Sequence, residues 1–101
     1  MEYQLRQSGD AMEILAEGKI TMRDHEVVQE ICGRFGTGRE RRAVLDLSKV
    51  DFIDSAGFGL LLVAHDHAGR AGLTLSLRKP QPHILQLLEL GDFGRLIPIE
   101  K

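Results

Sequence analysis

The sequence predicts an α/β sandwich, one mixed β-sheet of about five strands packed against helices, in the order β-β-α-β-α-β-α-β. Three observations carry this. Short stretches of period-2 alternation or β-branched runs recur along the 101 residues. Longer stretches of helical period lie between the later ones, and Gly, Pro and charge clusters mark the changeovers. The expected unit is a single domain covering residues 1–101.

The elements follow in order. Residues 3–7 alternate and meet a turn at Ser8-Gly9-Asp10, after which residues 11–17 alternate again. Together they predict a hairpin whose turn is carried by Gly9. Gly18-Lys19-Ile20-Thr21 then leaves the sheet, and Thr21 and Asp24 form a T-x-x-D capping pattern ahead of a helix. Val27, Val28, Ile31, Cys32 and Phe35 give that helix its apolar face, and Gly36 and Gly38 end it. Residues 43–47 are a short apolar run, expected as a buried central strand. Ser48 to Asp54 is expected as a loop with Val50, Phe52 and Ile53 tucked inward. Ser55 to Ala68 is the most apolar helix, 73–77 a further strand, and Pro80 and Pro82 bracket the start of the last helix. Residues 96–99 are predicted as a terminal strand, which Pro98 confines to an edge.

Composition narrows the function classes. The apolar share is 43% and the charged share 28%, an ordinary globular balance. Thirteen basic against fifteen acidic side chains leave a net charge of −2, which offers no electrostatic footprint for nucleic acid. No apolar run suits a bilayer span, so direct membrane insertion is not expected. The lone Cys32 makes no internal disulfide, and with no secretory leader pattern the expected location is cytoplasmic. No metal or cofactor is expected either. His65 and His67 lie about 200° apart on a helix, and His25 and His83 have no partner at ligand spacing.

The conspicuous stretch is Val50-Asp51-Phe52-Ile53-Asp54-Ser55-Ala56-Gly57-Phe58-Gly59-Leu60. An acid, a hydroxyl and two glycines stand where a strand exit becomes a helix. Ser55 is expected as the N-cap. It is either only a cap or also a phosphoacceptor, since a phosphate there would sit beside the positive end of the helix dipole. Two helical glycines each cost about 1 kcal/mol relative to Ala, which points to close backbone approach by the sheet or by a partner. Helical spacing assigns Gly57, Leu60, Leu61, Ala64 and Ala68 to the core and places Phe58 and Leu62 on a flank, either as a broad buried face or as an apolar shoulder for a partner. Asp51 and Asp54 fit a loop and helix-start role, with no nucleophile pattern beside them.

The stretch from Val44 to Ala68, with its D-S-A-G-F-G core, resembles the signature of STAS domains, specifically bacterial anti-sigma factor antagonists. Gly18-Lys19-Ile20, Gly72 to Leu77 and Pro82 through Ile97 extend the resemblance over nearly the whole chain. The resemblance implies a non-enzymatic phospho-switch. Its hydroxyl residue directly after the Asp, here Ser55, is phosphorylated by a serine kinase that often doubles as the anti-sigma factor, and a PP2C-type phosphatase reverses it. The partner surface it implies takes in Lys19, Thr21, Asp54, Ala56, Gly57, Phe58 and Leu62. Ala56 replaces a frequent second hydroxyl, and Lys19 and Thr21 stand where many members carry acids; these departures bear on the partner's identity rather than on the fold. A second reading is a structural STAS subunit bound to the ATPase of a lipid-transport ABC complex.

Overall fold

A computed structural model describes residues 1–101. The chain runs β1 (Glu2–Ser8), β2 (Ala11–Ile20), a 3₁₀ turn (Met22–Asp24), α1 (His25–Cys32), β3 (Arg42–Ile53), α2 (Ser55–Arg70), β4 (Thr74–Arg78), α3 (Pro82–Leu90), a second 3₁₀ turn (Phe93–Arg95) and β5 (Ile99–Glu100). The sheet order is β1-β2-β3-β4-β5, antiparallel between β1 and β2 and parallel elsewhere. The predicted mixed five-stranded sheet with three helices is therefore the observed architecture. Gly9 has φ +61° in the two-residue turn, as a II′ hairpin requires of its first turn residue.

Each crossover from β2 onward steps one strand in the same direction. Right-handed crossovers of that kind deposit all their helices on one face of the sheet. The core lies there: Ile14, Leu45, Leu47, Leu75 and Leu77 of the sheet meet Ile31, Leu60, Leu61, Ile84 and Leu88 of the helices. An apolar cavity of about 30 Å³ remains among Ile14, Ile31, Leu45, Leu60 and Leu61. The alternate side chains of the same strands form the other, helix-free face. It carries an ionic layer in which Arg78 binds Glu13 at 2.5 Å and Asp46 at 3.0 Å, and Arg6 binds Glu13 at 2.8 Å.

Several expectations are corrected. β3 does not stop at Leu47 but continues through Ile53, so the expected loop of residues 48–54 is mostly strand. It continues because β2 also runs on, to Ile20, and pairs with it as far as Ile20↔Ile53. A register shift at Gly18, whose φ is +92°, lets β2 pass the point where it was expected to leave the sheet. Val50 and Ile53 are buried as expected, but Phe52 is 46% exposed. Helix α1 ends at Cys32, a turn short of Phe35, which is buried from the following turns. The terminal strand is only Ile99–Glu100, because a 3₁₀ turn occupies residues 93–95; it is an edge strand, with Pro98 just outside it.

Candidate functional site

The site is the junction where β3 hands over to α2. Asp54 has extended backbone, φ −85° and ψ 177°, and its Oδ1 accepts the Gly57 N–H at 2.6 Å. Asp54 is thus the N-cap, and the assignment of the cap to Ser55 is corrected: Ser55 is the first helical residue. The Asp54 carboxylate makes a charge-assisted bond to an N–H already polarised by the dipole. The outcome for Ser55 is that its side chain is exposed and is not consumed as the cap.

The junction is pinned to the sheet by one carbonyl. The Asp54 N–H donates to Ile20 O at 3.2 Å. Gly57 lies directly on that same carbonyl: a Cβ there would run into Ile20 O and stand 2.8 Å from Ile53 Cγ2. The close approach anticipated from the glycines is therefore made by the sheet at Gly57. At Gly59 nothing lies within 4 Å of a would-be Cβ. Ser55, Gly59 and Leu62 fall within about 60° of one another around the helix, so they share one outward face. Leu62 is 39% and Val63 38% exposed along it.

Phe58 is half-buried. Its ring meets that of Phe93 at a centroid separation of 5.5 Å and a tilt of 56°, tying α2 to the second 3₁₀ turn. Ala56 is exposed beside Ser55. On the β2 side, Lys19 is exposed opposite Phe52 in the strand register, with Nζ 5.3 Å from the Phe52 ring centroid and 4.0 Å from Asp51 Oδ1. Thr21 opens the 3₁₀ turn in a capping box. Its N–H donates to Asp24 Oδ2 at 2.8 Å, and its Oγ1 accepts the Arg23 N–H at 3.3 Å. His83 Nε2 donates to Asp51 O at 2.7 Å and Gln81 Nε2 to Ser48 O at 3.1 Å, so the start of α3 is clamped to the extended half of β3.

One surface residue escaped the sequence reading: Met22 is 71% exposed just after β2, and Phe52, which was expected inward, projects from β3. Chemically the junction offers a free primary hydroxyl at a helix start, a capping acid and small or apolar neighbours. Cys32 is not part of it; the thiol is buried on α1, and burial pushes its pKa up.

A STAS-domain containing protein of Pseudomonas aeruginosa is 29% identical over 91 residues, covering 90% of this chain and 89% of its own. BtrV of Bordetella bronchiseptica, which carries the name of an anti-sigma factor antagonist, is 33% identical over 59% of this chain and 52% of its own. The unphosphorylated anti-sigma factor antagonist SpoIIAA superposes on 99% of this chain and 89% of its own, with a TM-score of 0.78 at 18% identity. Its phosphorylated form gives 0.71. The fold recurs in a sulfate transporter family protein from Wolinella succinogenes, with a TM-score of 0.75 at 14% identity over 87% of this chain and 71% of that one. The family model described as "Mlab, STAS domain" matches residues 3–98, nearly the full length over which the β3–α2 junction is built, and the chain belongs to the STAS-domain family.

Proposed function

We propose that this protein is a non-enzymatic phospho-switch that docks on an anti-sigma factor or switch kinase through the β3–α2 junction and is released by phosphorylation of Ser55. One observation carries the reading. With Asp54 holding the cap, Ser55 stands exposed at the first helical position, where a phosphate has helix N–H groups and the positive dipole end beside it. Phosphorylation adds about −1.5 to −2 charges. The fold tolerates them there, so the change falls on the partner, whose face against Ala56, Gly59 and Leu62 would have to desolvate a dianion. The resemblance to a family whose members include anti-sigma factor antagonists supports the same choice of partner. Within the docking face, Lys19, Thr21, Asp54, Gly57 and Phe58 shape and hold the junction, and a PP2C-type phosphatase resets it.

The test uses the full chain with the serine kinase found as its partner. The protein gains about 80 Da in its presence, and Ser55→Ala abolishes the gain. Ser55→Asp keeps wild-type stability, because an acid at the first turn suits the dipole, yet loses affinity for the partner. If Ser55→Asp binds as tightly as wild type, charge at this position is not the switch. Occurrence of the fold in a transporter-family protein gives the rival reading its support. Constant co-purification with an ABC-type ATPase, and no phosphorylated species, would establish that reading instead.

A further inference from the structure

Strand β1 pairs with β2 on one side only and forms one edge of the sheet. Ser8 and Ala11 flank the two-residue turn, and the register runs without interruption to Glu2↔Glu17. In an antiparallel ladder hydrogen-bonded and non-hydrogen-bonded pairs alternate, so the pairs Ser8–Ala11, Arg6–Glu13, Gln4–Leu15 and Glu2–Glu17 are the bonded ones. The N–H and C=O groups of Tyr3, Leu5 and Gln7 therefore point out along the free edge. Such an edge invites another strand unless charge or distortion blunts it.

Its side chains are arranged for a copy of itself. Glu2 faces Glu17 across the hairpin, a like-charge pair that is unfavourable within the monomer. Among the two-fold registers that the outward backbone groups permit, one centred on Leu5 sets Glu2 against a serine and Arg6 against a glutamine. The register centred on Gln4 sets Glu2 against Arg6 of the second copy, twice, and Tyr3 against Leu5, twice. The Arg6 guanidinium, bonded to Glu13 through Nε, is still 60% exposed and has its other N–H groups to offer. Tyr3 and Leu5 are partly buried side chains at the margin of the core, and this pairing covers what remains exposed of them.

We propose that β1 is a self-association edge: two copies pair antiparallel about Gln4, extending one five-stranded sheet into ten strands, with reciprocal Glu2–Arg6 pairs setting the register. Four backbone hydrogen bonds link Tyr3 and Leu5 across the dyad. The interface uses none of the residues assigned to the Ser55 surface, so it stands or falls independently of the phospho-switch.

Sedimentation equilibrium of the full chain from micromolar to near-millimolar concentration reads the association. The expected result is a reversible monomer–dimer equilibrium. Glu2→Lys raises the dissociation constant about tenfold or more, since it opposes Arg6 of the other copy. The monomer's melting temperature holds or rises, because the new ammonium faces Glu17. Gln4→Cys supplies the register. Directly opposed, non-hydrogen-bonded positions lie about 4.5 Å apart at Cα, within disulfide reach. Under mild oxidation Gln4→Cys forms linked dimers much faster than Gln86→Cys on exposed α3, and the native Cys32 is buried. A chain that stays monomeric throughout, or Gln4→Cys that links no faster than Gln86→Cys, overturns the proposal.

Discussion

Gly57 and Gly59 are two residues apart in one helix and have opposite reasons for lacking a side chain. Gly57 sits on the Ile20 carbonyl, which cannot rotate away because it also receives the Asp54 N–H. Gly57→Ala is expected to cost about 1–3 kcal/mol, at the upper end because the obstructing atom is backbone. Gly59 has open space, so Gly59→Ala is expected to stabilise the fold by about 0.5–1 kcal/mol through helix propensity alone. If a partner closes onto the Ser55 face, the same methyl weakens docking. Chemical denaturation and partner affinity measured on both variants separate the two roles. A Gly59→Ala protein that is stabilised and binds normally would show that nothing approaches the helix there.

Helix α2 has to satisfy two surfaces at once. Leu60, Leu61, Ala64 and Ala68 are buried against the sheet, as their spacing predicts. Leu60 also lines the small apolar cavity, so Leu60→Ala enlarges a void rather than making a new one. The expected loss is about 3–5 kcal/mol, the upper part of the range for such truncations. An unchanged denaturation midpoint would mean the helix is rotated from the position described. Phe58 belongs to the same helix but bridges to Phe93. Phe58→Ala therefore loosens α2 from the segment after α3, and its denaturation midpoint is expected to fall. Leu62→Ala, on a side chain 39% exposed, is the cleaner probe of docking.

At the scale of the molecule, the helix-free face of the sheet is held by one ionic layer spanning four strands: Arg6 of β1, Glu13 of β2, Asp46 of β3 and Arg78 of β4. Hydrogen bonds from Arg78, then Arg6, hold the Glu13 carboxyl below its usual pKa. Burial pushes Asp46 up, but the Ser48 hydroxyl and N–H together with Arg78 outweigh it, and the net direction is down. Both groups thus bind fewer protons folded than unfolded. Their contribution is full above the ordinary carboxylate range near pH 4–5 and is lost as pH falls through the lower folded values. Thermal melts at neutral and acid pH are expected to show Arg78→Gln well below wild type at pH 7, with the gap narrowing toward pH 2–3. A gap independent of pH would mean that Arg78 acts by packing alone.

How much of this was written in the chain can be judged element by element. Local patterning carried the element order, the hairpin at Gly9, the Thr21–Asp24 cap and the core side of α2, because each depends on neighbours within a few residues. The D-S-A-G-F-G stretch was legible as the start of the most apolar helix, and the structure places the β3–α2 junction there. What local pattern could not decide were outcomes of competition between distant segments. Whether Ser48–Ile53 is loop or strand depended on β2 passing Gly18 and offering an edge up to Ile20. Both Asp54 and Ser55 are competent caps. The choice fell to Asp54 because the Ile20 carbonyl holds the Asp54 N–H, placing its backbone in the extended state a cap needs and its carboxylate over Gly57. The sequence by itself determined that a hydroxyl would stand at the head of the most apolar helix. Only the tertiary structure decided that the acid before it would take the cap and leave that hydroxyl facing outward, since the deciding contact comes from a strand more than thirty residues earlier.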